Sequence, residues 1–111
     1  MRTITLNQFV STSIVILILT IESAAATSDN QQDSVDWFNK GLNLDHLNKS
    51  YEAIKAYDKA IEIDPHNSLA WNNKGFALYT LSKYDEAVKA YDKAIEIDPQ
   101  DSLAWNNKEM A

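Results

Sequence analysis

From Ser34 onward, apolar side chains recur every three or four positions. Trp37, Gly41 and Leu44 fall at i, i+4 and i+7, and Trp71, Gly75 and Leu78 repeat the spacing. Between them, Ala53, Tyr57, Ala60 and Ile61 fall at i, i+4, i+7 and i+8, as do Ala87, Tyr91, Ala94 and Ile95. That is one face of a helix; a half-buried strand would alternate instead. The pattern predicts two helix pairs and a further helix opening at Ser102. Asp64-Pro65 and Asp98-Pro99 stop the second helix of each pair, because proline lacks the N–H and disfavours a helical residue before it. Asn67 or Ser68, and Asp101 or Ser102, stand where the first helices need a cap. Ser82 is placed to cap a second helix, with Asp85 and Glu86 in its first turn.

The pattern is also periodic on a longer scale. Trp37, Trp71 and Trp105 are 34 residues apart, as are Gly41 and Gly75, Tyr57 and Tyr91, and Pro65 and Pro99. Laid without a gap over residues 68–101, residues 34–67 are identical at 21 of 34 positions. Lys55–Pro65 recurs unchanged as Lys89–Pro99, and Ser68–Lys74 as Ser102–Lys108. The expected fold is all-α: a solenoid of two helix-turn-helix repeats, 34–67 and 68–101, and the first helix of a third, 102–111. Without a Cβ, Gly41 and Gly75 let the second helix come close, with Ala53 and Ala87 as their expected partners. The Trp and Tyr side chains are expected to fill the gaps between successive hairpins.

Residues 1–26 follow different rules. Arg2 is the only charge before Glu22, and Phe9–Ile21 is an apolar run of about a dozen residues, the length of a secretory h-region and short of the ~20 needed to span a bilayer. Ala24-Ala25-Ala26 offers the small-x-small cleavage pattern. Removal of 1–26 after Ala26 and export to the exterior or the cell envelope are expected; uncleaved, the segment would be the chain's one membrane contact. Residues 27–33 are polar and aperiodic and read as a flexible linker to the repeat domain, 34–111.

Composition narrows the chemistry. The net charge of −6 disfavours a nucleic-acid partner. With no cysteine, two histidines and two glycines, thiol chemistry, a histidine-rich metal centre and a phosphate loop all lack their residues. Asp45 and His46 are neighbours on a helix, about 100° apart, and do not converge on one ligand. No enzyme, metal or cofactor is expected. Asn48-Lys49-Ser50 fits the N-glycosylation pattern, on an expected turn.

These residues resemble the tetratricopeptide repeat. Its pattern is matched by Trp37, Gly41, Ala53, Tyr57, Ala60 and Pro65 in the first unit and by Trp71, Gly75, Ala87, Tyr91, Ala94 and Pro99 in the second. Trp105 opens the third. Leu44 and Leu78 stand where the family has tyrosine, Lys40 and Lys74 where it has leucine, and Ser50 where Tyr84 stands in the second unit, which implies a looser first turn. The wording of the repeat is most similar to bacterial and archaeal members.

The resemblance implies a right-handed superhelix whose first helices line a concave groove for peptides or proteins, without chemistry of their own. The groove positions it implies are Phe38, Asn39, Leu42, Asp45 and His46, then Asn72, Asn73, Phe76, Tyr79 and Thr80, then Asn106 and Asn107. Asn39, Asn73 and Asn107 would form an amide ladder for the backbone of an extended peptide, and Phe38, Leu42, Phe76 and Tyr79 apolar pockets. Members that grip acidic chaperone tails use lysines, arginine and asparagines; here those places hold Phe38, Leu42, Asn73, Leu103 and Asn107, so an acidic tail is not the expected partner. A solenoid needs about three repeats. The alternatives are therefore a homo-oligomer joined through the uncovered third helix, around Trp105 and Met110, or a fragment of a longer array.

Overall fold

Capping residues, prolines and two left-handed turns divide the chain into helices where the pattern predicts. The structure, a computed structural model, describes residues 28–111. The expected signal segment lies outside the described residues. Among these there are five helices: α1 over 28–46, α2 Ser50–Ile63, α3 Ser68–Thr80, α4 Tyr84–Ile97 and α5 Ser102–Met110. Residues 31–111 form one unit, in which α2 packs on α3, α3 on α4 and α4 on α5. The expected flexible linker is corrected here: residues 28–33 extend α1. They hold no glycine or proline to break it, and Gln32 donates to Asp36 one turn on at 2.9 Å.

Helix ends follow local chemistry. Asn67 accepts from the Ala70 N–H at 3.0 Å, and Asp101 from those of Leu103 and Ala104 at 3.0 and 3.1 Å. Both side chains satisfy N–H groups that the first turn leaves without partners. Asp64 and Asp98 end α2 and α4 and accept from His66 and Gln100 N–H across the proline, each at 3.1 Å. Ser82 does not cap α4, whose N-cap is Lys83 with no side-chain bond. Instead Asn48 and Ser82 take φ of 59° and 60° and turn the chain out of α1 and α3. Lys49 N–H then reaches Leu44 O, and Lys83 N–H reaches Leu78 O, both at 2.9 Å. The two turns are thus equally tight; Ser50 in place of Tyr84 does not loosen the first.

The core is built of alanines and two tyrosines. Ala53, Tyr57, Ala60, Ala77, Ala87 and Ala94 have no exposed surface, and Tyr91 has 1%. The glycines meet these rings, rather than the alanines expected. A Cβ added to Gly75 would stand 2.6 Å from Tyr91 Cε1, and one on Gly41 would collide with Tyr57 in the same way. The tyrosines therefore fill the inside of each hairpin. The tryptophans sit at the edges: Trp37 and Trp71 are half-buried, and Trp105, assigned to the repeat core by pattern, is 45% exposed. Pro65 and Pro99 are exposed, and their carbonyls accept from the indole N–H groups of Trp71 and Trp105 at 3.1 and 3.2 Å.

Candidate functional site

The first helix of each full unit packs its Trp-Gly-Leu face inward, buried at the glycine and half-buried at the tryptophan, and leaves another face open. Residues seven apart lie on one side of a helix. On the open side that register reads Val35 and Leu42 in α1, Leu69 and Phe76 in α3, and Leu103 and Met110 in α5. Five of these six are exposed, from Val35 at 45% to Met110 at 61%, and Leu42 is half-buried. Water thus faces an apolar stripe crossing the first helices of three successive units, the kind of patch that marks an interaction surface.

The expected groove residues divide on this surface. Phe76 is exposed; Phe38 is half-buried, its ring 5.9 Å from that of Tyr57. Leu42 packs against the core of Ala53, Tyr57 and Ala77, and Tyr79 meets Tyr84 edge-on at 5.4 Å. Asn39 is exposed. Asn73 is half-buried and donates to Leu69 O of its own helix at 2.9 Å, and its amide oxygen is not a buried unpartnered atom. Asn72 and Asn107 are corrected: both are buried, and Asn107 Nδ2 donates to Asn72 Oδ1 at 3.1 Å. Their amides join α3 to α5 and are not offered to a ligand, so the expected ladder of asparagines does not form. Pattern reading missed Val35 and Leu69, met Leu103 only as a departure from the clamp, and placed Met110 only on a self-association surface. The signal was there: Val35, Leu69 and Leu103 carry the same 34-residue period, on the face away from the tryptophans.

Charge is arranged to match. Among the described residues the first helices carry three lysines, Lys40, Lys74 and Lys108, all on the tryptophan side. Each amine lies over its Trp ring, at 4.6, 5.4 and 5.7 Å. Lys74 also pairs with Asp58 at 2.6 Å and Lys108 with Asp92 at 2.7 Å. Their stems cover apolar surface as expected, but two of the three heads are tied to the preceding second helix. None of the three lies on the stripe.

Asp45 does not work with His46. Its Oδ2 accepts from the Tyr57 hydroxyl at 2.7 Å. Burial pushes the Asp45 carboxyl above its usual range, against the tyrosine hydrogen bond and the neighbouring His46, which favour ionisation. Burial, and then Asp45, push the Tyr57 hydroxyl well up, and burial with Tyr79 pushes Tyr91 up to about 12. Both tyrosines are therefore neutral parts of the fold. Among the described residues no group of three His, Asp or Glu could hold a metal. Asn48 is exposed in the α1–α2 turn.

Two clefts, of about 650 and 500 Å³, lie between the helices of one unit. Trp37, Leu44 and Ala56 line the first, and their counterparts 34 positions on, Trp71, Leu78 and Ala90, line the second. A cleft that recurs with the repeat follows from its architecture, so it does not single out a ligand.

Paired helices in register, a first helix that continues the stack and an open face across the first helices define an all-α helical-repeat protein. The chain belongs to the tetratricopeptide repeat family, whose model matches residues 35–67 and 68–101. Among solved structures it is similar to the second such domain of Spaghetti (RPAP3), bound to the HSP90 peptide SRMEEVD. That match has 28% identity and a TM-score of 0.74, and covers 78% of this chain and 79% of that one. The domain of Arabidopsis OM64 shares the fold at 22% identity and a TM-score of 0.72, covering 73% of this chain and 67% of that one. The TPR2AB domain of yeast Sti1, in complex with an HSP90 peptide, does so at 22% and 0.71, covering 98% of this chain and 41% of that one. No protein of curated function matches the chain.

Proposed function

We propose that the chain is a non-catalytic scaffold that binds a peptide or protein segment along the apolar stripe of its first helices. The observation that carries this reading is the exposed row Leu69, Phe76, Leu103 and Met110, continued by Val35 on α1. Apolar side chains of a ligand would seat along the row, and the amide oxygen of Asn73 would accept from its backbone. The Spaghetti domain is bound to an acidic peptide, which needs cations at the clamp positions. Phe38, Leu42, Asn73, Leu103 and Asn107 supply none, and Asn107 is already bonded to Asn72. The partner is therefore neutral, apolar or basic along the bound segment, in keeping with the acidic chain.

Phe76→Ala and Leu69→Asp are the test. Both residues are about half exposed, so the fold should hold, and capture of partners from a cell extract by immobilised protein should fall at least tenfold. Unchanged capture by both variants would remove the stripe as the site. The working place belongs to the same proposal: the apolar run Phe9–Ile21 and Ala24-Ala25-Ala26 direct the chain out of the cytoplasm. Expression in a secreting host should yield a protein whose N-terminus, read by mass spectrometry, is Thr27. Retention of Met1 on a cytoplasmic product would refute export.

A further inference from the structure

Among the described residues no second helix lies over α5. What is buried on α5 is therefore buried by the unit before it. Ala104 has no exposed surface and Asn107 has 8%. Three polar contacts fix the seat: Trp105 to Pro99 O at 3.2 Å, Asn107 to Asn72 at 3.1 Å and Lys108 to Asp92 at 2.7 Å. The seat of α3 on α2 repeats two of them, Trp71 to Pro65 O at 3.1 Å and Lys74 to Asp58 at 2.6 Å. Tryptophan and lysine, three residues apart, thus dock a first helix onto the preceding unit.

α1 carries the same residues, Trp37, Asn39 and Lys40, and they lack those partners among the described residues. Lys40 rests only over the Trp37 ring, at 4.6 Å. One position departs from the pattern. Where α3 and α5 have Ala70 and Ala104, both without exposed surface, α1 has Asp36, which is exposed and bonded to Gln32 of its own helix.

We propose that Asp36 bars this outer face of α1 from docking on a second copy of the chain, where it would otherwise take on α4 the seat that α5 fills. The face complements the seat: Lys40 would meet the second copy's Asp92, Trp37 its Pro99 carbonyl and Asn39 its Asn72. It would continue an interface the molecule already makes twice. Asp36 alone would enter a position closed to water, where an ionised carboxylate without a cation is strongly disfavoured. α5 competes from within, because the short link from Asp98 to Asp101 keeps its local concentration high. This inference rests on the stacking contacts and not on the peptide-binding stripe, so either can fail alone.

The chain has no cysteine, so cysteines can be introduced singly. Full-length chain bearing Lys40→Cys is mixed with chain bearing Asp92→Cys and treated with a short bismaleimide. The Asp92 change also frees Lys108 and loosens α5. With Asp36 in place little linked heterodimer should form; adding Asp36→Ala to the Lys40→Cys chain should raise its yield at least tenfold. An excess of peptide 98–111 should suppress the product by refilling the seat. Equal yields with and without the Asp36→Ala change, or no product in either case, would overturn the proposal. Matching helical circular dichroism confirms that each chain is folded, since Asp36 is exposed and alanine favours helix.

Discussion

Tyr57→Ala should cost about 4 kcal/mol, within the range for deleting a buried aromatic side chain. A unit of this size has only about 4–12 kcal/mol to lose, at 0.05–0.15 kcal/mol per residue. The ring has no exposed surface and is the body against which Gly41 lies. Alanine would leave a cavity between α1 and α2 that backbones fixed by the tight turn at Asn48 cannot close. Tyr57→Phe separates the parts. It keeps the ring and loses only the hydroxyl's bond to Asp45, so it should cost about 1.5 kcal/mol, the lower end for hydrogen bonds to charged groups. Urea unfolding followed by circular dichroism measures both. A Tyr57→Ala chain within 1 kcal/mol of wild type, a margin well below the ~2–5 kcal/mol cavity costs, would show that the hairpin does not depend on the ring.

Gly75→Glu should be comparably severe. A Cβ alone would come within 2.6 and 2.7 Å of two carbons of the buried Tyr91 ring, and the rest of the side chain has nowhere to go but through that ring. Overpacking costs about 1–3 kcal/mol even for added methylenes, and here a carboxylate must also leave water. The ~1 kcal/mol that glycine forfeits in a helix cannot compensate. The melt should lose its cooperativity. Gly75→Ala adds the same Cβ without the rest of the side chain, so the crowding less the helix propensity gained should leave a loss of about 1 kcal/mol. A Gly75→Glu melt within a few degrees of wild type would mean that α4 can slide away from α3 freely.

These positions show what the sequence makes legible and what it does not. The period, the helices and their proline stops are local facts, set by spacing and backbone chemistry, and the structure follows them closely. The asparagine and aspartate caps are local too. Contacts between units are not. Asn72 and Asn73 look alike on paper, yet Asn72 is buried because α5 brings Asn107 against it, whereas Asn73 bonds back to Leu69 on its own helix. Likewise the glycines face tyrosine rings because the helices cross close enough for a ring to fill the hairpin, a distance no pattern states. The apolar stripe escaped notice for a plainer reason: Val35, Leu69 and Leu103 share the repeat period but not the core face. Residues 28–33 read as linker because polarity without periodicity is what an exposed helical extension also shows.

The close meeting of glycine and tyrosine decides the direction in which this stack can grow. In both full units the glycine is room kept for the ring of the following helix. Thirty-four positions beyond Gly75 stands Glu109, on a helix otherwise spelled like α3 through Lys108. A second helix bearing the usual tyrosine would find that room taken by a charged side chain. α5 leans on α4, but with Glu109 in the glycine's place it does not hold open for a further helix the room that Gly75 holds open for α4.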